Sequence, residues 1–280
     1  MQSSTKALVA AAAVAVIAGA VAWWWFGRPA QLPQAPMAPV AVPAPASPPA
    51  ATAGLAPSPT AATIEHPIAP LADTQPLASA GLAGALADLI GRKAVLTFLQ
   101  VDQFARRFVA TVDNLGRSHA PPALWPVNPT PGRFMNQASA DGEVISADNS
   151  LRYTPFVLLV ETVDVGRAID LYVRMYPLLQ STYEGLGFPR HHFNDRLFEV
   201  IDQLLATPEV SYPVRLKLLE IKGSVPSLQP WLRYQYAAPA LESLSSGQKI
   251  LLRVGPVNQR RLKAKLLELR QQLAARGPKR

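Results

Sequence analysis

Residues Ala7 to Phe26, ALVAAAAVAVIAGAVAWWWF, form an uncharged run of 20 residues. As a helix, at about 1.5 Å per residue, it is about 30 Å long, the thickness of the hydrocarbon core of a bilayer. It is apolar on every face, so a buried core helix is a poor reading of it. Lys6 precedes the run and Arg28 follows it. A secretory signal starts in the same way, and Ala20-Val21-Ala22 offers a small-x-small cleavage site. Retention is the expectation for two reasons. The run is longer than a signal's apolar core, and Trp23, Trp24, Trp25 and Phe26 make an aromatic belt suited to a membrane interface. The positive-inside rule then leaves residues 1–6 as a cytoplasmic stub and exports the rest. The expected place is a bacterial inner membrane, crossed once, with the C-terminal domain in the periplasm.

Residues 27–80 read as a linker. Thirteen prolines fall between Pro29 and Pro76, spaced by Ala, Val, Ser and Thr. That composition has few backbone donors and too little apolar bulk for a core. It favours polyproline II, about 3.1 Å per residue, and so a semi-rigid arm.

Residues 81–276 read as one domain, and 277–280 as a basic tail. The expected fold is mainly α: a single compact helical domain with room for a small β-hairpin or ribbon. Phe104, Phe108 and Val112 share one helix face, which Asp113-Asn114-Leu115-Gly116 ends. His119 to Arg133 carries five prolines and is expected to be extended, anchored by Leu124, Trp125 and Val127. Ser139-Ala140-Asp141-Gly142 is turn chemistry for a short hairpin. Asn149 or Ser150 is expected to cap a helix to about Val163, bent at Pro155. Asp164 caps the next, Val165 to about Leu186, with Pro177 inside it. Phe193, Leu197, Val200, Ile201 and Leu204 give the clearest amphipathic pattern in the chain. Between Val210 and Tyr236 a two-stranded ribbon competes with a helix over Val214 to Lys222. Pro239 starts a helix expected to run to about Val254. After Gly255-Pro256, Leu262, Leu266, Leu269 and Leu273 form the stripe of the last helix.

Five stretches carry a family resemblance. They are FVATVDNL (108–115), LYVRMYPLLQSTYEGLGF (171–188), FNDRLFEVIDQLL (193–205), APALESLSSGQKILLRVGP (238–256) and RLKAKLLEL (261–269). In order and spacing they resemble the bacterial domain-of-unknown-function family 3014, over most of residues 82–275. The resemblance implies single-pass membrane proteins with a Pro-rich spacer and one envelope-exposed domain. It brings no activity, so no catalytic residue is carried over.

The chain has no cysteine, which excludes disulfides, thiol nucleophiles and thiolate metal sites. Net charge is +8, unevenly placed. Residues 77–209 hold 11 basic and 14 acidic side chains; residues 210–280 hold 14 and 3. Arg260, Arg261, Lys263, Lys265 and Arg270 on the last helix offer a surface for an anionic partner. The alternative is that this basic part docks on the acidic middle or is a solvated face. Nucleic acid is not expected, because no duplex-binding motif or paired aromatic platform accompanies these charges.

His192, Asp195, Glu199 and Asp202 fall on one helical stripe, with His191 beside them. Imidazole and carboxylates on one face suit a divalent cation or general acid–base work, though not in the His-Glu-x-x-His spacing of zinc hydrolases. A plain polar face opposite an apolar one is the competing reading. No serine lies in a nucleophile motif, and no cofactor is expected. Tyr172, Tyr176 and Tyr183 are better core or rim aromatics than a sugar platform, although with Trp231 they are the best residues for one. The expected function is a membrane-anchored periplasmic scaffold or binding protein, its partner a cell-wall or membrane-protein component. The alternative is an envelope hydrolase or metal-assisted enzyme using His192, Asp195 and Glu199.

Overall fold

Phe193 opens the helix around which the core is built, and its side chain is fully buried. The computed structural model describes residues 63–71, 74–140, 142–219 and 233–277. The expected membrane helix at 7–26, most of the linker, Trp231 and the last three residues lie outside the described residues. Among those described, no helix is long and apolar enough to cross a membrane.

The domain is mainly helical with a small antiparallel sheet. In chain order the helices are α1 (Leu82–Ile90), α2 (Arg92–Phe98), α3 (Phe104–Leu115), α4 (Thr154–Thr162), α5 (Val165–Gly185) and α6 (Phe193–Leu205). They continue with α7 (Pro239–Glu242), α8 (Ser246–Arg253) and α9 (Pro256–Ala274). The strands are β1 (Asn136–Ser139), β2 (Gly142–Ile145), β3 (Arg215–Leu218) and β4 (Tyr234–Tyr236). Helix α3 packs on α5 and α6, and α9 lies against α4, α5 and α6. The predicted stripe of α6 is buried at every position: Phe193, Leu197, Val200, Ile201 and Leu204. Each such side chain contributes about 1.5–3 kcal/mol by leaving water. Phe193 meets Phe108 of α3 edge-on and Tyr183 of α5 at a tilt. On α9, Leu273 is buried and Leu262, Leu266 and Leu269 pack against the same core.

The hairpin and the ribbon both form, and they join. The strands run β1-β2-β3-β4, all antiparallel, with Val144 opposite Arg215 at the junction. Strand β3 at Arg215–Leu218 takes the place of the helix that competed with the ribbon there. A second, smaller apolar cluster lies under the sheet: Ile145, Val214, Leu216 and Tyr236, with Leu252 from α8.

Four expectations are corrected. Neither Asn149 nor Ser150 caps α4: residues Ala147–Arg152 are a 3-10 helix, and Pro155 sits in the first turn of α4. Proline is accepted there because first-turn amides have no partner within the helix. The helix expected from Ala240 to Val254 is two, α7 and α8. Ser245 starts a new one with a capping box: its hydroxyl accepts from the Gln248 amide, and the Gln248 side chain accepts from the Ser245 amide. The Leu124 side chain is exposed and its carbonyl accepts from Thr111 of α3, while Val127 bridges to Leu99. His192 precedes α6 and does not stand on its stripe. Asp164, by contrast, caps α5 as expected, accepting from the Arg167 amide at 2.7 Å.

The end of the expected linker lies on the helical body. Asp195 of α6 accepts from the amides of Glu65 and His66, at 3.2 and 2.7 Å. The His66 ring stacks on Phe198 at 4.0 Å, and its carbonyl accepts from Asn194. Ile68, Leu71 and Leu77 pack on the core, and Ala69 donates to the Arg276 carbonyl beyond α9. These residues form a strap from α6 to the end of α9.

Candidate functional site

The carboxylates of α6 are all engaged within the fold. Asp195 holds the strap. Glu199, 66% exposed, pairs with Arg196 at 2.7 Å. Asp202 pairs with Arg270 of α9 through both carboxylate oxygens. The Arg270 hydrogen bond holds the Asp202 carboxyl below its usual range. His192 stands just before the helix, and His191 offers its carbonyl to Gln180. Among the described residues no three metal-ligating side chains come together. Removing the Asp195 carboxylate tests its role. Asp195→Ala should speed amide exchange at Glu65 and His66 by at least tenfold, because two charge-assisted bonds are worth about 1.5–3 kcal/mol each. The core helices should keep their protection, since the strap is bound to them from outside.

The basic residues of α9 divide. Arg270 meets Asp202, Arg261 approaches Glu161 at 3.6 Å, and Arg276 beyond the helix meets Asp170. Lys263 and Lys265 donate to the carbonyls of Thr207 and Val163, which close α6 and α4. Cations near these C-terminal carbonyls complement the helix dipoles. Four of the five basic residues of α9 are therefore docked on the middle of the chain, and Arg260 stays exposed. The tyrosines belong to the core. Tyr183 is buried, and Tyr172 donates to the Asn194 side chain at 3.0 Å. Burial raises the Tyr172 hydroxyl well above its ordinary pKa.

A concave feature lies elsewhere, where the sheet meets the corner between α8 and α9. It is a cleft of about 410 Å³. Gln137 and Ile145 supply the sheet wall, and Ser146, Ala147 and Ser150 the 3-10 wall. Tyr212 and Pro213 close one end; Arg253, Gly255, Pro256 and Val257 make the corner. Buried amides fix these parts. Asn149 accepts from the Met135 amide at 3.1 Å and donates to the Arg253 carbonyl at 2.9 Å. Asn258 donates to the carbonyls of Ser150 and Val254. Tyr212 donates to the Leu252 carbonyl, and burial pushes its hydroxyl up to about 12.

Arg253 is the charged residue of the cleft. Its guanidinium lies over the rings of Phe134 and Tyr236, at 5.8 and 5.7 Å. One terminal nitrogen donates to the Tyr234 carbonyl at 3.3 Å, while Nε is buried without a hydrogen-bond partner. Among the described residues no carboxylate pairs with it, and none lines the cleft. The sequence pattern missed this site, because its walls come from residues 137, 150, 212 and 253, far apart in the chain. One local signal was present: Arg253-Val254-Gly255-Pro256 puts a cation, a helix break and a proline helix start in succession.

Fold and site thus define a mainly helical domain with a small four-stranded sheet and an Arg-bearing cleft at their junction. The family model described as protein of unknown function (DUF3014) matches residues 104–270, and the chain belongs to that family. The matched stretch includes every residue of the cleft. No curated protein and no solved structure matches the chain.

Proposed function

We propose that the chain is a single-pass inner-membrane protein of the bacterial envelope, whose periplasmic domain is a binding or scaffold module held out on an arm. The uncharged run Ala7 to Phe26 carries this reading. Two further features support it. The Pro/Ala composition of the next stretch suits a spacer. The strap gives that spacer a fixed attachment, because Asp195, Asn194 and Phe198 clasp residues 65 and 66. The free arm then comprises residues 29–62 and reaches at most about 105 Å at about 3.1 Å per residue. A domain carried in this way meets its partner at a bounded distance from the membrane, and its effective concentration there is set by the arm. The cleft is the place on the domain best suited to hold a partner's group.

A reporter fused after Arg280 tests the location. Activity restricted to the periplasm, sedimentation with membranes, and a mature mass that retains residues 1–26 are the expected results. Reporter activity in the cytoplasm, or a soluble product shortened at Ala22, overturns the anchored reading.

A further inference from the structure

The cleft has the chemistry of a carboxylate receptor. Four observations converge on it. Arg253 lines it and, among the described residues, meets the Tyr234 carbonyl and two rings but no acidic partner. Among the described residues no carboxylate stands on its walls to repel an anion. The 19-residue helix α9 begins in it, with no side-chain cap and no acidic residue in its first turn, so the positive end of its dipole is uncompensated. Ile145, Pro213, Pro256 and Val257 give the rest of the wall an apolar character. Asp148 on the 3-10 helix is exposed and does not line the cleft.

We propose that this cleft binds a carboxylate carried on a short apolar or peptide stem, such as the free C-terminus of a peptide. A guanidinium matches a carboxylate in plane and in hydrogen-bond spacing. Its two flanking rings hold it in place, so little side-chain freedom is lost on binding. The apolar walls argue for a stem and against a bare, fully hydrated inorganic anion. A space of about 410 Å³ suits a ligand of two or three residues. The proposal rests on the domain being a binding module, but its test does not depend on where the domain resides.

The full chain in detergent micelles is titrated by calorimetry with N-acetyl-alanyl-alanine, with its C-terminal carboxamide, with hexanoate and with inorganic phosphate. The acids should bind, with the carboxamide at least tenfold weaker and phosphate weaker than either acid. Val257→Glu is the decisive variant. Val257 is 52% exposed at the second position of α9, where an acidic side chain favours the helix. Its own carboxylate should occupy the anion position, lowering affinity at least tenfold with the thermal midpoint kept or raised. Arg253→Lys, which keeps the charge and loses the fork, should weaken binding as well. Equal binding of acid and carboxamide, phosphate binding as tight as the acids, an unchanged Val257→Glu, or no binding of either acid overturns the proposal. Those outcomes leave the membrane-tether reading standing, because the reporter decides it independently.

Discussion

Asp113→Ala is expected to destabilise the domain by about 3–5 kcal/mol, the cost of breaking a buried ion pair by removing one partner. Asp113 ends the buried face of α3, and its side chain is 11% exposed. Two arginines converge on it. Arg196 of α6 donates from Nε to the carboxylate at 3.1 Å and from a terminal nitrogen to the Asp113 carbonyl at 2.8 Å. Arg117 donates at 2.9 Å from one turn on. Without the Asp113 carboxylate, Arg196 is a cation 15% exposed that keeps the residue 113 carbonyl but whose remaining acidic partner, Glu199, is largely in water. The two arginines should differ. Arg117 is half-exposed, so Arg117→Ala should cost about 1 kcal/mol or less. Arg196→Met should cost more, because it removes two α3–α6 hydrogen bonds and leaves the buried Asp113 carboxylate with the half-exposed Arg117 as its cation. Urea unfolding of both singles and of Asp113→Ala/Arg196→Met completes the cycle. The double variant should cost less than the two singles added, since each single leaves a buried charge short of one opposite partner. Strict additivity would show that the two side chains act on stability separately.

That ion pair shows where sequence reasoning stops. The helices it joins are readable because periodicity is local: the stripes of α3, α6 and α9 repeat within a few turns, and Asp164 stands beside the amide it caps. What those helices do with their charges is not local. Asp195, Glu199 and Asp202 share a polar stripe in sequence, yet one clasps the strap, one pairs within its helix, and one reaches α9. Only the packing assigns them. The strap was hidden because residues 64–71 keep the composition of the spacer. They are held chiefly by backbone groups meeting Asn194, Asp195 and Arg276, and backbone donors leave no mark on a residue pattern. The sheet was half readable for a similar reason. Each ribbon has its own turn or alternation, but the pairing of Glu143 with Leu216 joins segments some 70 residues apart. The break before α8 could have been read: Ser245 and Gln248 stand in capping-box spacing.

Gly255→Ala should cost about 3–5 kcal/mol through two causes that can be separated. Gly255 has φ 89° and ψ 159°, a region that residues with a Cβ enter at about 1–3 kcal/mol. A Cβ there would also stand 2.7 Å from the Ser150 Cβ, an overlap that overpacking data put at about 1–3 kcal/mol. The neighbours cannot give way cheaply. Asn258 fixes the Ser150 carbonyl at 2.9 Å, and Asn149, one residue earlier and fully buried, holds the Arg253 carbonyl. Ser150→Gly in the Gly255→Ala background removes the overlap and leaves the backbone strain, so it should recover part of the loss. Ser150→Ala keeps the offending Cβ and should recover none. The same pair bears on the cleft, whose corner and 3-10 wall touch at this point. If Ser150→Gly restores carboxylate affinity along with stability, the close approach of the two backbones sets the width of the site. If stability returns and affinity does not, the path of the chain through Gly255 is what aims the start of α9 at the ligand.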